Sequence, residues 1–227
     1  MNKALLLTAA SVLALAAGAA SATQLPARSF MGSFHLLRLP KAAQILYNQN
    51  SNATGVAIDS QNFTSNSLST YDDQGADDFV IPKGIVWTIT GVDVSGAYFN
   101  GSGPAASENV IFYKSRQNGE PAGPVKHGTF NNLKGRDFDG SFAIKLPRKG
   151  LTLAAGTYWV SVIANCSFYG GCGEWGWETA SVLHGYRAMW QDPGNCCCPT
   201  WGTLQNCVSN QSGPDFMFDL RGVARRK

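Results

Sequence analysis

Charge is scarce in this 227-residue chain: Asp, Glu, Lys and Arg make up 15% of it, against about a quarter in an average globular protein. A mainly disordered chain is nevertheless excluded, because 44% of the residues are hydrophobic and 11% aromatic, enough to bury a core. Heptad runs are absent, which excludes a coiled coil. Beyond the N-terminal leader no segment carries a sustained 3.6-residue apolar stripe, so a helical bundle is excluded too. Catalytic signatures are missing as well: there is no G-x-S-x-G elbow, no H-E-x-x-H and no phosphate-binding loop. The three histidines, His35, His127 and His184, stand apart from any neighbouring nucleophile and orienting acid. The length suits one domain with short appendages, and no internal repeat divides it.

What is present begins with a leader. Lys3 precedes an apolar stretch over residues 4–20, and Ala20-Ser21-Ala22 has the small-x-small form of a signal-peptidase site. The stretch is Ala-rich, in bacterial style, and shorter than the ~20 apolar residues that span a bilayer. Residues 1–22 are therefore expected to be a cleaved signal peptide, with no membrane span afterwards and a secreted or periplasmic product. Residues 23–43 carry two prolines and no period, and read as a linker or short pro-segment. All 15 acidic residues but only 11 of the 18 Lys and Arg fall between residues 42 and 222, so the domain proper is mildly acidic. That excludes a nucleic-acid footprint. Residues 223–227 read as a basic, solvated tail.

The six cysteines, Cys166, Cys172, Cys196, Cys197, Cys198 and Cys207, all lie in the last third. An even count in an exported chain points to disulfides. Cys166 is expected to pair with Cys172, and one of the triplet with Cys207. A zinc cluster would need paired C-x₂-C spacing, which is absent.

From Ile45 onward, short hydrophobic runs alternate with Gly, Asn, Asp, Ser and Pro, as strands joined by turns do. In residues 85–99, Ile85, Trp87 and Ile89 share a face, and Gly91 and Gly96 mark a bulge or bend. Residues 109–113, 138–146, 157–164 and 215–220 read as further strands, with Phe138, Phe142, Ile144 and Leu146 on one parity. The domain over residues 44–222 is expected to be an all-β, antiparallel β-sandwich, jelly-roll-like, of about eight to ten strands.

Two patches have ligand chemistry. In the segment 170–178, a strand places Trp175 and Trp177 on one side and Glu174 and Glu178 on the other. Exposed indoles would form a platform for sugar stacking, extended by Trp190 and Trp201. Ordinary core packing of the same tryptophans is the competing reading. Glu174 and Glu178 do not suit a glycosidase pair, because four residues of strand separate them by roughly 13 Å and hydrolysis needs ~5–9.5 Å. The second patch is Asp72, Asp73, Asp77 and Asp78, whose carboxylates suit a structural calcium ion. They lack EF-hand spacing and fit turn capping equally well. No other cofactor is implied.

The motifs ADDFVIP (76–82), WTITGV (87–92), GTYWVSV (156–162) and WGW (175–177) together resemble a recurrent secreted bacterial β-sandwich module. The likeness runs from about Tyr47 to Gly222, and it implies an architecture but no catalytic set. The expected function is a non-catalytic extracellular module for binding, adhesion or an accessory role, with polysaccharide or a surface protein as partner. The alternative is a small secreted hydrolase whose site is assembled from distant residues.

Overall fold

The computed structural model describes residues 43–65, 67–147, 149–194, 197–208 and 212–227. The expected signal peptide, nearly all of the expected linker, and Cys196 lie outside the described residues. In chain order the strands are β1 (Gln44–Asn48), β2 (Ala53–Asp59), β3 (Gln61–Phe63), β4 (Gln74–Val94), β5 (Gly96–Phe99), β6 (Ser107–Ser115), β7 (Pro121–Leu133), β8 (Arg136–Phe138), β9 (Ser141–Lys145), β10 (Leu151–Cys166), β11 (Glu174–Ala180), β12 (Met189–Gln191), β13 (Gly202–Thr203), β14 (Asp215–Phe216) and β15 (Phe218–Arg226). Among the described residues one short α-helix, α1 (Leu204–Cys207), interrupts them.

The strands form two sheets. The larger runs β1-β15-β4-β10-β6-β7, with shorter strands attached; the smaller runs β14-β11-β2, with β5 also on β11. Pairing is antiparallel except for β3, which lies parallel to the end of β10. The all-β antiparallel sandwich expected from the sequence is borne out. The strand count exceeds the expected eight to ten for two reasons. Several strands are only two or three residues long, and two runs that read as single strands are cut where the chain passes from one sheet to the other. The cuts fall at Ser95, between β4 and β5, and at Met217, between β14 and β15.

The bends follow from particular residues. Pro82 cannot donate to a sheet ladder, and it sits where four residues of β4 oppose one of β10: Ile81 faces Gly156 and Val86 faces Ala154. Between β4 and β15 the register slips at Thr90, because Gly91 faces Arg221 and Ile89 faces Gly222. That bulge lets Trp87 and Ile89 before it, and Val92 and Val94 after it, all point into the core. At the sheet crossing a Cβ on Gly96 would stand 2.6 Å from the Gly176 carbonyl oxygen, so only glycine fits.

Two expectations are corrected here. Phe138 does not share the buried parity of Phe142 and Ile144; it is 53% exposed, with the Arg136 guanidinium 4.9 Å above its ring. Asp139 and Gly140, both at positive φ, make a two-residue hairpin between β8 and β9 that resets the alternation. The basic end is not a frayed tail either. β15 continues along β4 until Arg226 faces Ile85, and the Lys227 amide donates to the Gly84 carbonyl at 2.9 Å.

The core lies between the sheets. Trp175 stacks on Phe142 at 4.9 Å, and Trp177 on Phe216 at 4.6 Å. Both indoles are fully buried, and their N–H groups donate to the carbonyls of Gly140 and Met217. Burial of those donors without partners would be costly; with them it is not. An exposed Trp175–Trp177 platform is therefore ruled out, and core packing is the role of both residues.

Candidate ligand-binding site

A cavity of about 660 Å³ opens beside β2, the edge strand of the smaller sheet. Its floor is Ile58 and Asp59 of β2, Phe63 of β3 and Trp190 of β12. Glu174, at the start of β11, and Asp73, just before β4, bring carboxylates to it, and Asp192 adds another. Tyr71, Phe99 and Val208 line it while remaining 49%, 37% and 41% exposed, which places apolar surface at its mouth.

Backbone and side-chain bonds fix the walls. The Asp73 carboxylate accepts from the Gln61 amide and Asp72 from the Phe63 amide, each at 2.7 Å, which pins β3. The Gln61 side chain in turn accepts from the Trp175 amide at 2.6 Å and donates to the Gly173 carbonyl at 3.2 Å. The indole N–H of Trp190 donates to the Asp59 carbonyl at 2.8 Å, which sets the ring beside that residue.

Two disulfides clamp the margins, as the spacing predicts. Cys166–Cys172 closes the loop carrying Phe168, and Cys198–Cys207 closes the one leading to α1. Cys197, also disulfide-bonded, and Cys207 line the cavity. Such bonds suggest an oxidising setting, extracellular or periplasmic. With Cys197 and the four cysteines of these two bridges all disulfide-bonded, thiol titration of the denatured, unreduced protein should find at most one thiol. Replacing Cys198 and Cys207 together by Ser should cost about 2–3 kcal/mol in chemical denaturation by the loop-entropy argument, and a change under 0.5 kcal/mol would contradict it.

The electrostatics of the cavity are lopsided. Burial, and then the neighbouring Glu174 charge, pushes the Asp59 carboxyl up to about 7. Asp73 is held well above the usual carboxylate range by burial and by the charge of Asp59, while its bond from the Gln61 amide pulls the other way. Asp59 Oδ1 is buried without a hydrogen-bond partner. No Lys, Arg or His is among the described residues lining the cavity.

Of the residues singled out from the sequence for ligand binding, the fold brings Glu174 and Trp190 together here. Glu178 is on the same face of β11 but outside the cavity, and Trp201 packs edge-on against Tyr113 at 5.7 Å, away from it. Cavity residues missed by sequence reasoning are Asp59, Asp192, Tyr71, Phe99 and Phe168. Asp59 ends an alternating strand and carries no local mark of burial; what covers it is Trp190, 131 positions later.

The four aspartates of the calcium expectation are not gathered in one place. Asp72 and Asp73 fasten β3, whereas Asp77 and Asp78 sit within β4. There Asp77 accepts from the Gln49 side-chain amide and the Phe216 amide, each at 2.7 Å, and Asp78 from the Tyr186 amide at 2.7 Å. The four carboxylates are divided between two places and serve as anchors for backbone N–H groups. Among the described residues no set of three His, Cys, Asp or Glu is arranged to hold a metal ion.

Comparison of the chain with protein-family models, curated proteins and solved structures gives no match. Of the resemblance to secreted β-sandwich modules, the two-sheet all-β architecture is what stands. The functional reading accordingly rests on the cavity itself.

Proposed function

We propose that the protein is an exported binding module whose cavity beside β2 takes a segment of extracellular carbohydrate. One observation carries this reading: the cavity combines aromatic faces, among them Trp190 and the exposed Phe99, with carboxylates able to accept hydrogen bonds from hydroxyls. Apolar sugar faces stack on aromatic rings while the ring hydroxyls seek polar partners, and binding sites of this kind are concave and largely pre-formed. The exposed apolar side chains at the mouth and the disulfides at the margins support it further. Export is supported by the leader in the sequence and the two disulfides.

Binding of an oligosaccharide panel, read by titration calorimetry, tests this. Phe99→Ala should weaken the best ligand about tenfold, the loss of one good aromatic contact, and should leave the melting temperature within about 2 °C, because Phe99 is exposed. Failure of every glycan to bind would contradict the proposal, as would a bound glycan indifferent to both Phe99→Ala and Glu174→Gln.

A second reading has its own observation. Asp59, protonated up to about pH 7, shares the cavity with Glu174, and two carboxyls with different environments are the apparatus of glycoside hydrolysis. Turnover of an aryl glycoside that vanishes in Asp59→Asn would favour the hydrolase.

A further inference from the structure

The cavity holds four carboxyl groups, from Asp59, Asp73, Glu174 and Asp192, and no cationic side chain among the described residues lines it. Ordinary buried carboxylates are matched to Lys, Arg or a helix terminus, because an unmatched charge in low dielectric is strongly disfavoured. Here backbone amides satisfy part of the need: Asp73 accepts from Gln61. Asp59 Oδ1 is left with none. The upward displacement of Asp59 and Asp73 has burial as its first cause and a neighbouring carboxylate as its second, Glu174 for Asp59 and Asp59 for Asp73, so a cation entering the cavity would relieve both residues together.

The aromatic lining points the same way. Rings present a negative face, and a cation within ~6 Å of one is attracted by about 0.5–2 kcal/mol, the upper end applying where water is excluded. Trp190 is only 8% exposed and is oriented by its bond to the Asp59 main-chain carbonyl, and both residues line the cavity. A neutral sugar would use the rings and could donate its hydroxyls to the carboxylates, but it would bring no charge to offset the crowding of Asp59, Glu174 and Asp73. An acidic sugar would be repelled. A bare metal ion would leave most of the 660 Å³ unfilled and ignore the rings.

We propose that the ligand is an amine-bearing sugar, a glucosaminyl unit with a free ammonium group, whose charge is seated among Asp59, Glu174 and Asp73. The inference rests on the carbohydrate reading above and narrows it to one ligand class. The sugar ring lies on the aromatic lining, and its ammonium group supplies the cation that the protein itself does not.

The test is titration calorimetry on the mature chain at about pH 6, well below the ~7.7–8.0 of an ordinary α-amino group, so that an amine weakened by the ring oxygens is still protonated. Three probes are compared: a glucosamine oligomer, the N-acetylglucosamine oligomer of equal length, and tetramethylammonium. The expected result is at least tenfold tighter binding of the glucosamine oligomer than of its acetylated twin. Asp59→Asn should erase that preference, and Glu174→Gln, at a less buried position, should reduce it severalfold even if the first variant folds poorly. Equal or tighter binding of the acetylated oligomer would overturn the amine inference while leaving the carbohydrate reading in place. Binding of tetramethylammonium with no saccharide bound, or no binding by any of the three, would overturn the amino-sugar inference, and the carbohydrate reading would fall with it only if the whole oligosaccharide panel also failed to bind.

Discussion

Replacement of Trp177 by Ala will lower the unfolding free energy by about 3–5 kcal/mol, the range found for deleting a large buried aromatic side chain. The indole is fully buried, stacks on Phe216 and meets Phe218 edge-on at 6.2 Å. Gly75 lies against the same group of rings, so close that a Cβ there would stand 2.8 Å from Phe216. Packing of that density collapses poorly around a hole, which puts the expected cost at the upper end. The Met217 carbonyl also loses its donor, the Trp177 indole N–H. Both sheets contribute to this contact, since Trp177 and Phe216 belong to the smaller and Phe218 to the larger, so the loss weakens the joint between them. Chemical denaturation should show the loss in full, with a melting temperature lower by on the order of 10 °C. A loss under 1 kcal/mol would mean that Trp177 is at the surface, as a stacking platform would require.

Acidification from pH 7.5 to 5 will stabilise the fold, contrary to the usual behaviour of carboxylate-rich proteins. Burial is the first cause in each case: Asp59, Asp78 and Asp215 are pushed up to about 7, and Asp73 and Asp77 well above their ordinary range. Beyond burial, Asp215 adds repulsion to Asp77 and Asp78, while backbone amides of Phe216, Tyr186 and His184 oppose the shifts. In the unfolded chain these groups titrate near 3.9. Between about pH 4 and 7 the folded protein thus holds protons that the unfolded chain has released, and stability falls as pH rises through that window. Each carboxyl shifted by about three pH units contributes about 2 kcal/mol between pH 7 and 5. Opposing titrations elsewhere will offset part of the sum, and a net rise in melting temperature of about 5–10 °C is expected. Thermal melts in buffers of matched ionic strength check it. A melting temperature that falls steadily from pH 7.5 to 5 would show that these carboxyls are ionised and paired in the folded protein.

Strand character was legible wherever one face alone is buried. The alternation in residues 85–94 survives in β4 because its bulge falls beside a glycine, and Gly96 marks the crossing between sheets because a side chain cannot fit there. The parity of Phe138 was misread because a positive-φ Asp-Gly pair, Asp139-Gly140, counts as two residues of strand in a pattern search but as a turn in space. The Cys166–Cys172 and Cys198–Cys207 bridges were legible from short spacing. The site was not. Trp175 and Trp177 have the sequence pattern of either a platform or a core, and only the facing Phe142 and Phe216 decide between them. The cavity depends on pairings between remote segments: β2 beside β11, and β12 folded over Asp59. Neither Asp59 nor Phe99 carries a local signal, because what gives them a role is the long-range closure of the sandwich.

The most direct test of the cavity as the binding site is a two-dimensional NMR titration of the six indole N–H signals with the tightest-binding glycan. The account predicts that Trp190, which lines the cavity and points its N–H at Asp59, shifts first and furthest, while Trp87 and Trp159, which do not line it, stay in place. Glycan binding that moves Trp87 or Trp159 and leaves Trp190 unshifted would contradict it.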